Sequence, residues 1–285
     1  MKPASYDQQT SSGAPTGAPR VGLVGFGKTG RAVASVLLQS PDVNLCWVIR
    51  QSDRLSHRSV GEYFGFDEGD DAEILSAQEY RAAELLDQRP VDVIVDFSGV
   101  DGIGYYGDAA AARGITILTA ISQYPASSHA ILQSLAQRTR VIHSPNITLG
   151  INFLLIAGKI LKNIAPQTDI EIIEEHFRTK PEISGTAKVI ARELEIDSDN
   201  IKSIRAGGII GTHEILFGFP FQNVRLKHES ISREAFGNGI LFAINNLPAA
   251  PRGLFTMEDL LIPYFNLGLP AQAEPGEKKP WWKIW

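Results

Sequence analysis

Fourteen residues, EEHFRTKPEISGTA at positions 174–187, gather an acidic pair and a third glutamate, an imidazole, a guanidinium, an ammonium and the hydroxyls of Ser184 and Thr186. Cations and hydrogen-bond donors gathered in this way suit an anion, unless the segment is simply a solvated surface loop. If the segment is a strand running into a loop, His176, Arg178 and Lys180 share one face by the period of two. If it is helical, His176 and Lys180 are still co-facial at i and i+4. Ser184, Gly185 and Thr186 then open a helix, with Ser184 as its cap, and offer hydroxyls and free backbone N–H groups to an anion. A capped helix after a charged loop fits the same residues, and the residues alone leave both readings open.

The remainder of the chain limits what such a cluster can serve. With 285 residues, 44% of them hydrophobic, it suits one large or two modest domains. Its 27 Lys and Arg against 32 Asp and Glu give a formal charge of -5, which lacks the basic footprint of nucleic-acid binding, so the expected anion is small. The one cysteine, Cys46 in NLCWVI, excludes a disulfide framework and a thiolate metal cluster and reads as a buried thiol. His57, His129 and His143 lack ligand spacing, so no metal is expected. His213 and His228 stand in strand-like runs and read as structural histidines at least as readily as functional ones. No apolar run approaches the roughly 20 residues that cross a bilayer. Residues 1–19, a polar Ser/Gly/Ala/Pro mixture, read as a disordered leader of a cytoplasmic protein.

Ordered sequence opens with VGLVGFGKTGRAVASVLL. A β-branched run meets Gly25, Gly27 and Gly30 and then an apolar pattern of helical period, which is strand, tight turn and helix. Gly25 permits the turn, Gly27 lets backbone approach a pyrophosphate, and Gly30 lets helix and strand pack closely. Phe26, Lys28 and Thr29 complete this cofactor-binding turn. The second strand, VNLCWVI, ends near Arg50, where a NAD site places an acid on the ribose. An arginine there suits a 2'-phosphate, so NADPH is expected to be preferred, with NADH as an alternative. VDVIVDFS, GITILTAIS and RVIHSPN repeat the strand signal between helical stretches, which makes a doubly wound parallel sheet, a Rossmann-like α/β fold. Ligands collect beyond the carboxyl ends of such strands, which nominates Phe97, Ser98, Thr119, Ala120, Ser144, Pro145 and Asn146 as cofactor neighbours.

After Asn146 the pattern changes. ITLGINFLLIAGKILKNIA reads as a largely buried helix, TDIEIIEEHFR as a strand and SGTAKVIARELE as a helix. The strand-like runs SIRAGGIIGTHEILFGF and QNVRLKHESIS, joined through a turn at Phe219 and Pro220, follow without intervening helices and predict a second, α+β domain with a mixed sheet. REAFGNGILFAINNL returns to helix against the first domain. The resulting division is a cofactor domain of 20–146 with 238–265, a substrate and oligomerisation domain of 147–237, and a flexible tail of 266–285. The tail carries Trp281, Trp282 and Trp285, which would dock on a partner, a neighbouring subunit or a membrane interface unless the tail is simply disordered.

From Arg20 to Leu261 the chain resembles the 4-hydroxy-tetrahydrodipicolinate reductases, or dihydrodipicolinate reductases, of lysine biosynthesis. The likeness rests on VGLVGFGKTGR, DVIVDFSG, SPNITLGIN, IEEHFRTK with SGTA, RAGGIIGTHEILF, LKHESISREAFGNG and GLFTMEDLL, in that order. It implies an NAD(P)H domain, a mixed-sheet domain that builds a homotetramer, and reduction of an unsaturated cyclic imine dicarboxylate. His176 and Lys180 match the family's pair for substrate polarisation and proton donation. Phe177, Arg178, Ser184, Gly185 and Thr186 match its substrate-binding positions.

Three departures accompany these matches. Phe177 replaces the family's second histidine. Only Pro181, Glu182 and Ile183 separate Lys180 from Ser184, one residue fewer than is usual. Thr119, Ala120, Ile121 and Ser122 replace a Gly-Thr-Thr-Gly loop, which displaces the backbone or reshapes the site. They leave room for a diverged imine reductase or amino-acid dehydrogenase, or for a non-catalytic NADP-binding relative, beside the lysine-pathway reductase.

Overall fold

A computed structural model describes residues 17–66, 72–122 and 124–265. The expected leader up to residue 16 and the Trp-rich tail lie outside the described residues. The chain begins with β1 (Arg20–Val24), α1 (Lys28–Gln39), β2 (Asn44–Arg50), α2 (Val60–Phe64), β3 (Glu73–Ser76) and α3 (Ala82–Gln88). It continues through β4 (Val93–Asp96), α4 (Gly102–Ala112), β5 (Thr116–Thr119), α5 (Ala126–Ala136) and β6 (Arg140–His143). Then come α6 (Leu149–Ile164), β7 (Asp169–His176), α7 (Gly185–Glu193), β8 (Ile201–Arg205), β9 (Gly211–Phe219) and β10 (Gln222–Ser230). Last are α8 (Glu234–Asn245), β11 (Gly253–Phe255) and α9 (Met257–Phe265).

Among the described residues, seven strands form a parallel sheet in the order β11-β6-β5-β4-β1-β2-β3. Its strands are apolar on both faces because helices cover both. Val21, Leu23, Val48, Val93 and Val95 face one core, while Val24, Trp47, Ile49, Ile94 and Ile117 face the other. The strand order reverses beside β1, which pairs with β2 on one side and β4 on the other, and a ligand crevice opens at such a reversal. β4 and β5 are shorter than the apolar runs that mark them. β3 and β11, at four and three residues, are too short to leave a readable alternation.

The second sheet has the order β10-β9-β7-β8, with β7 and β8 parallel and the other pairs antiparallel. One long strand-like run divides into β8 and β9 around Gly207, whose φ of +47 turns the chain. β9 and β10 join through Pro220 and Phe221.

α6 joins the two layers, sending Ile156 into the first core and Ile151 and Leu154 into the core under the second sheet. The expectation of a largely buried helix is corrected here. α6 has neighbours on only part of its apolar surface, which leaves Phe153 and Ile164 more than half exposed. Cys46 likewise proves only partly buried.

α8 packs on α1 and on the chain entering α6. A side chain at Gly237 would reach Val36 at 2.5 Å, and one at Gly239 would lie 1.9 Å from the Ile147 carbonyl oxygen. Backbone cannot yield as a flexible side chain can, so Gly239→Ala should cost about 1–3 kcal/mol, the usual range for overpacking. Urea unfolding of the two proteins checks this.

Candidate active site

The first end of the site is built from backbone. Gly25 has φ +100, and a Cβ there would lie 2.6 Å from the Phe97 carbonyl carbon. Gly30 passes so close to the turn that a Cβ would meet the Gly25 oxygen at 2.0 Å, whereas at Gly27 a Cβ would meet nothing within 4 Å. The N-terminus of α1 therefore faces open space over Gly27, in a cleft of about 660 Å³ that Arg31, Arg50, Ser52 and Ser98 also line. Lys28 and Thr29 form the first turn of α1, while the Phe26 ring is buried against Tyr63 and Phe64.

Arg31 lacked any sequence signal beyond following the glycines. Its guanidinium sits 5.5 Å and 5.3 Å from the Phe26 and Tyr63 ring centroids, and its Nε donates to the Phe26 carbonyl. Arg50 donates from Nη1 to the Arg54 carbonyl at 3.1 Å. Unpaired helix N–H groups, an open cradle and two guanidinium groups fit a phosphorylated dinucleotide.

Beside this cleft, Asp96 is fully buried at the end of β4 and accepts from the Ser98 N–H at 2.8 Å, the Ser98 hydroxyl at 2.5 Å and the Tyr106 hydroxyl at 2.8 Å. Burial pushes its carboxyl up, and those hydrogen bonds oppose the shift. Thr119 is buried too, its hydroxyl 2.8 Å from that of Tyr124. The Ala120 N–H donates to the Asp96 carbonyl and the Ser144 N–H to that of Thr119. The loop that replaces the family's glycines is thus pinned from below, and Nε2 of His143 donates to the Ile121 carbonyl at 3.2 Å. Phe97 stacks edge-on against Phe236. Asn146 ties the two layers: its Oδ1 accepts from the Thr148 N–H and hydroxyl, and its Nδ2 donates to Thr186 at 3.4 Å.

The second end is built from side chains on β7, β8, β9 and α7. Alternation along β7 buries Ile170, Ile172, Glu174 and His176 on one face. Glu174 is fully buried and accepts five hydrogen bonds. Oε1 takes Arg205 Nη2 at 2.6 Å, the Ser203 hydroxyl at 2.5 Å and the Ser184 N–H at 3.3 Å. Oε2 takes His176 Nδ1 at 2.5 Å and Arg205 Nη1 at 3.0 Å. Burial alone would raise this carboxyl, but the Arg205, Ser203, His176 and Ser184 hydrogen bonds hold it at about 2. His176 moves below its ordinary value: burial depresses it, Glu174 opposes that, and the charges of Lys180 and Arg205 add to it. His176 is therefore neutral near pH 7.

β7 ends at His176, so the strand-face geometry does not extend to Arg178 and Lys180. Residues 177–180 form a turn closed by the Lys180 N–H on the Phe177 carbonyl at 3.0 Å. This turn brings the ammonium close enough to act on both His176 and His213. Phe177 and Arg178 are exposed at its tip, with the Arg178 N–H on the Gly207 carbonyl.

Ser184 stands at the cap position of α7, but its hydroxyl does not cap the helix. It lies 2.8 Å from Nε2 of His213, a stronger claim on it in a buried setting. With the Ser184 N–H on Glu174, the N–H groups of Gly185 and Thr186 open α7 toward the site, and a Cβ on Gly185 would meet nothing within 4 Å. Glu174, Arg205, Ser203 and His213 were not singled out as site residues from sequence. The available signal was an acid at 174 in the apolar phase of a strand. Among the described residues, no group of three or more His, Cys, Asp or Glu side chains could hold a metal ion.

Two family models, described as "Dihydrodipicolinate reductase, N-terminus" and "Dihydrodipicolinate reductase, C-terminus", match residues 19–147 and 147–261. The chain belongs to the dihydrodipicolinate reductase family. This family comprises NAD(P)H-dependent oxidoreductases of lysine and diaminopimelate biosynthesis. The 4-hydroxy-tetrahydrodipicolinate reductase of Burkholderia multivorans is 27% identical over 260 residues, covering 82% of this chain and 96% of that one. The enzyme of the same name from Halorhodospira halophila is 28% identical over 272 residues, 85% and 98% of the two chains. A dipicolinate-bound dihydrodipicolinate reductase from Paenisporosarcina sp. TG-14 superposes with a TM-score of 0.70 at 21% identity, covering 85% of this chain and 99% of that one. An amine dehydrogenase from Mycobacterium smegmatis reaches 0.57 at 13% identity, over 85% and 96%. Both structures share the fold.

His213 carries a pH signature of this site. Burial first, and then the neighbouring imidazole of His176, lower it from 6.5 to about 3. The unfolded chain takes up a proton at this residue below pH 6.5 that the folded chain refuses until about pH 3, so stability falls as pH drops through that window. Urea midpoints measured from pH 7 downward should decline in the native protein and decline less in His213→Gln.

Proposed function

We propose that the protein reduces 4-hydroxy-tetrahydrodipicolinate, the family's cyclic imine dicarboxylate, with NADPH as preferred cofactor. The observation that carries this is the convergence of a neutral His176, the Lys180 ammonium and the open N-terminus of α7 at one mouth. Gly25 to Gly30, with the N-terminus of α1, would hold the pyrophosphate, and Arg50 with Arg31 the 2'-phosphate. Phe97, Ser98, Thr119, Ala120, Ser144 and Asn146 would border the nicotinamide half, and when bound the nicotinamide supplies the hydride.

The chain's own residues bind, orient and protonate. The Gly185 and Thr186 N–H groups, the Thr186 hydroxyl and Arg178 attract carboxylate. Phe177 forms an apolar wall. Lys180 delivers the proton to the reduced ring, and His176 orients the substrate by hydrogen bonding. Residues 20–146 with 238–265 serve the cofactor, and 147–237 the substrate and assembly. The membership of β11 in the parallel sheet and the packing of α8 on α1 support that division.

A cytoplasmic homotetramer follows from the same reading. The face of the second sheet opposite α6 and α7, carrying Ile173, Ile204 and Leu216, supports assembly through that sheet. No helix among the described residues is long and apolar enough to cross a membrane. The Trp-rich tail would dock on a neighbouring subunit or another partner.

A second reading, a different imine as substrate, rests on Phe177, whose ring is 40% exposed where the family has a polar contact. Steady-state kinetics with the cyclic dicarboxylate separates the two. Native turnover of about 10 per second or more is the ordinary enzymatic level and supports the lysine-pathway substrate. NADPH binding without turnover would move the reading to another imine or to a binding role. Lys180→Ala and His176→Ala should each lower turnover by about 10²- to 10⁴-fold with NADPH affinity nearly unchanged.

Cofactor choice is tested by fluorescence titration. NADPH should bind more tightly than NADH, and Arg50→Asp should weaken NADPH selectively. Equal affinities in the native protein would refute the 2'-phosphate assignment.

A further inference from the structure

Glu174 and Arg205 link His176, Ser203, the Lys180 turn and the start of α7 at the proposed substrate end. Arg205 spends all of its donors there. Nη1 and Nη2 hold the Glu174 carboxylate, Nε donates to the Lys180 carbonyl at 3.1 Å, Nη2 also donates to the Glu182 carbonyl at 2.8 Å, and Nη1 to the Ile204 carbonyl at 2.9 Å. The turn bearing Lys180 and the shortened link 181–183 are thus both fastened to the arginine that neutralises Glu174.

The carboxylate in turn decides the state of His176. An ionised carboxylate only accepts, so Nδ1 at 2.5 Å from Oε2 must carry the ring proton, and Nε2 carries the lone pair. That Nε2 lies beside Gly211, where a Cβ would come within 3.1 Å of it, so the bare glycine keeps the atom uncovered on that side.

We propose that Glu174, clamped by Arg205, is the positioning residue of the site: it fixes His176 as the Nδ1–H tautomer with Nε2 as acceptor, and through Arg205 it anchors the Lys180 turn. It rests on the reading of His176 and Lys180 as the substrate-facing pair, and it divides their labour. His176 receives a hydrogen bond from the substrate, and Lys180 is the proton donor.

Glu174→Gln tests this sharply because the surrounding donors dictate where the amide nitrogen goes. The Oε1 place faces the fixed donors Arg205 Nη2 and the Ser184 N–H as well as the Ser203 hydroxyl. The Oε2 place faces one fixed donor, Arg205 Nη1, and the switchable His176 ring. The NH2 group therefore takes the Oε2 place, donates to Nδ1 and converts His176 to the Nε2–H tautomer.

The experiment is nitrogen NMR of the His176 ring in the native protein and in Glu174→Gln, with kinetics of Glu174→Gln, His176→Ala and the double variant. The expected result is Nδ1–H in the native protein and Nε2–H in Glu174→Gln. kcat should fall about tenfold or more with KM and NADPH affinity within about threefold, and His176→Ala should lose little further when Glu174→Gln is added, because the glutamine oxygen at the Oε1 place still holds Arg205 and with it the Lys180 turn. A native Nε2–H tautomer overturns the proposal. Multiplying losses in the double variant, the mark of a merely structural role, overturn it as well. Should Glu174→Gln not fold, the native spectrum decides alone. Should the native protein not turn over the cyclic dicarboxylate, the proposed substrate fails while the tautomer is still decided by the spectrum.

Discussion

A carboxylate taken fully out of water survives only if its charge and lone pairs are answered, since an unpaired buried ion costs several kcal/mol or more. Glu174 is answered by five donors from four residues, and most of the β7–α7 cluster follows from that requirement. Parallel pairing sets Glu174 opposite Ser203 and His176 opposite Arg205, so the β7–β8 register places both partners at once. A slip of one residue would turn Ser203 and Arg205 to the other face and strand the acid. Replacing a buried ion pair by apolar groups is often neutral or stabilising. Stability alone therefore gives no account of why charge stands there; geometry at His176 and Lys180 does.

The two ends of the site are made in different ways. At the glycine-turn end the shape comes from backbone, through a positive φ at Gly25, a close approach at Gly30, open space at Gly27 and the N-terminus of α1. At the other end side chains from β7, β8, β9 and α7 hold one another, with His213 on Ser184 and Glu174 on His176. Asn146 and α6 connect the ends, so the spacing between the glycine turn and the β7–α7 cluster is carried by a few hydrogen bonds and one shared helix.

The family's glycine loop has a different support here. Thr119 on Tyr124, His143 on the Ile121 carbonyl and the buried Asp96 give residues 119–122 a side-chain scaffold in place of glycine freedom. A loop with side chains can still sit at the carboxyl end of β5 if it is held from beneath, as this one is at Thr119, Ala120 and Ile121. The shortened link after Lys180 is accommodated similarly, by Arg205 holding the Lys180 and Glu182 carbonyls.

How much of this was legible in the sequence depends on distance along the chain. The parallel sheet, the glycine turn, Arg50 at the end of β2 and the helix after Ser184 were all readable, because each is a local pattern of period, turn chemistry or capping within about ten residues. The fourteen-residue stretch likewise showed cations and hydrogen-bond donors suited to an anion. It did not show that β7 stops at His176, that the Ser184 hydroxyl leaves the cap for His213, or that Arg31 rests on Tyr63, 32 residues away. Least visible was the role of Glu174, whose partners Ser203 and Arg205 lie 29 and 31 residues on. Hydrophobic periodicity reports which face of a strand is buried but is blind to which strand becomes its neighbour. Strand pairing alone brings those donors to the acid, and with them it settles which nitrogen of His176 keeps the proton.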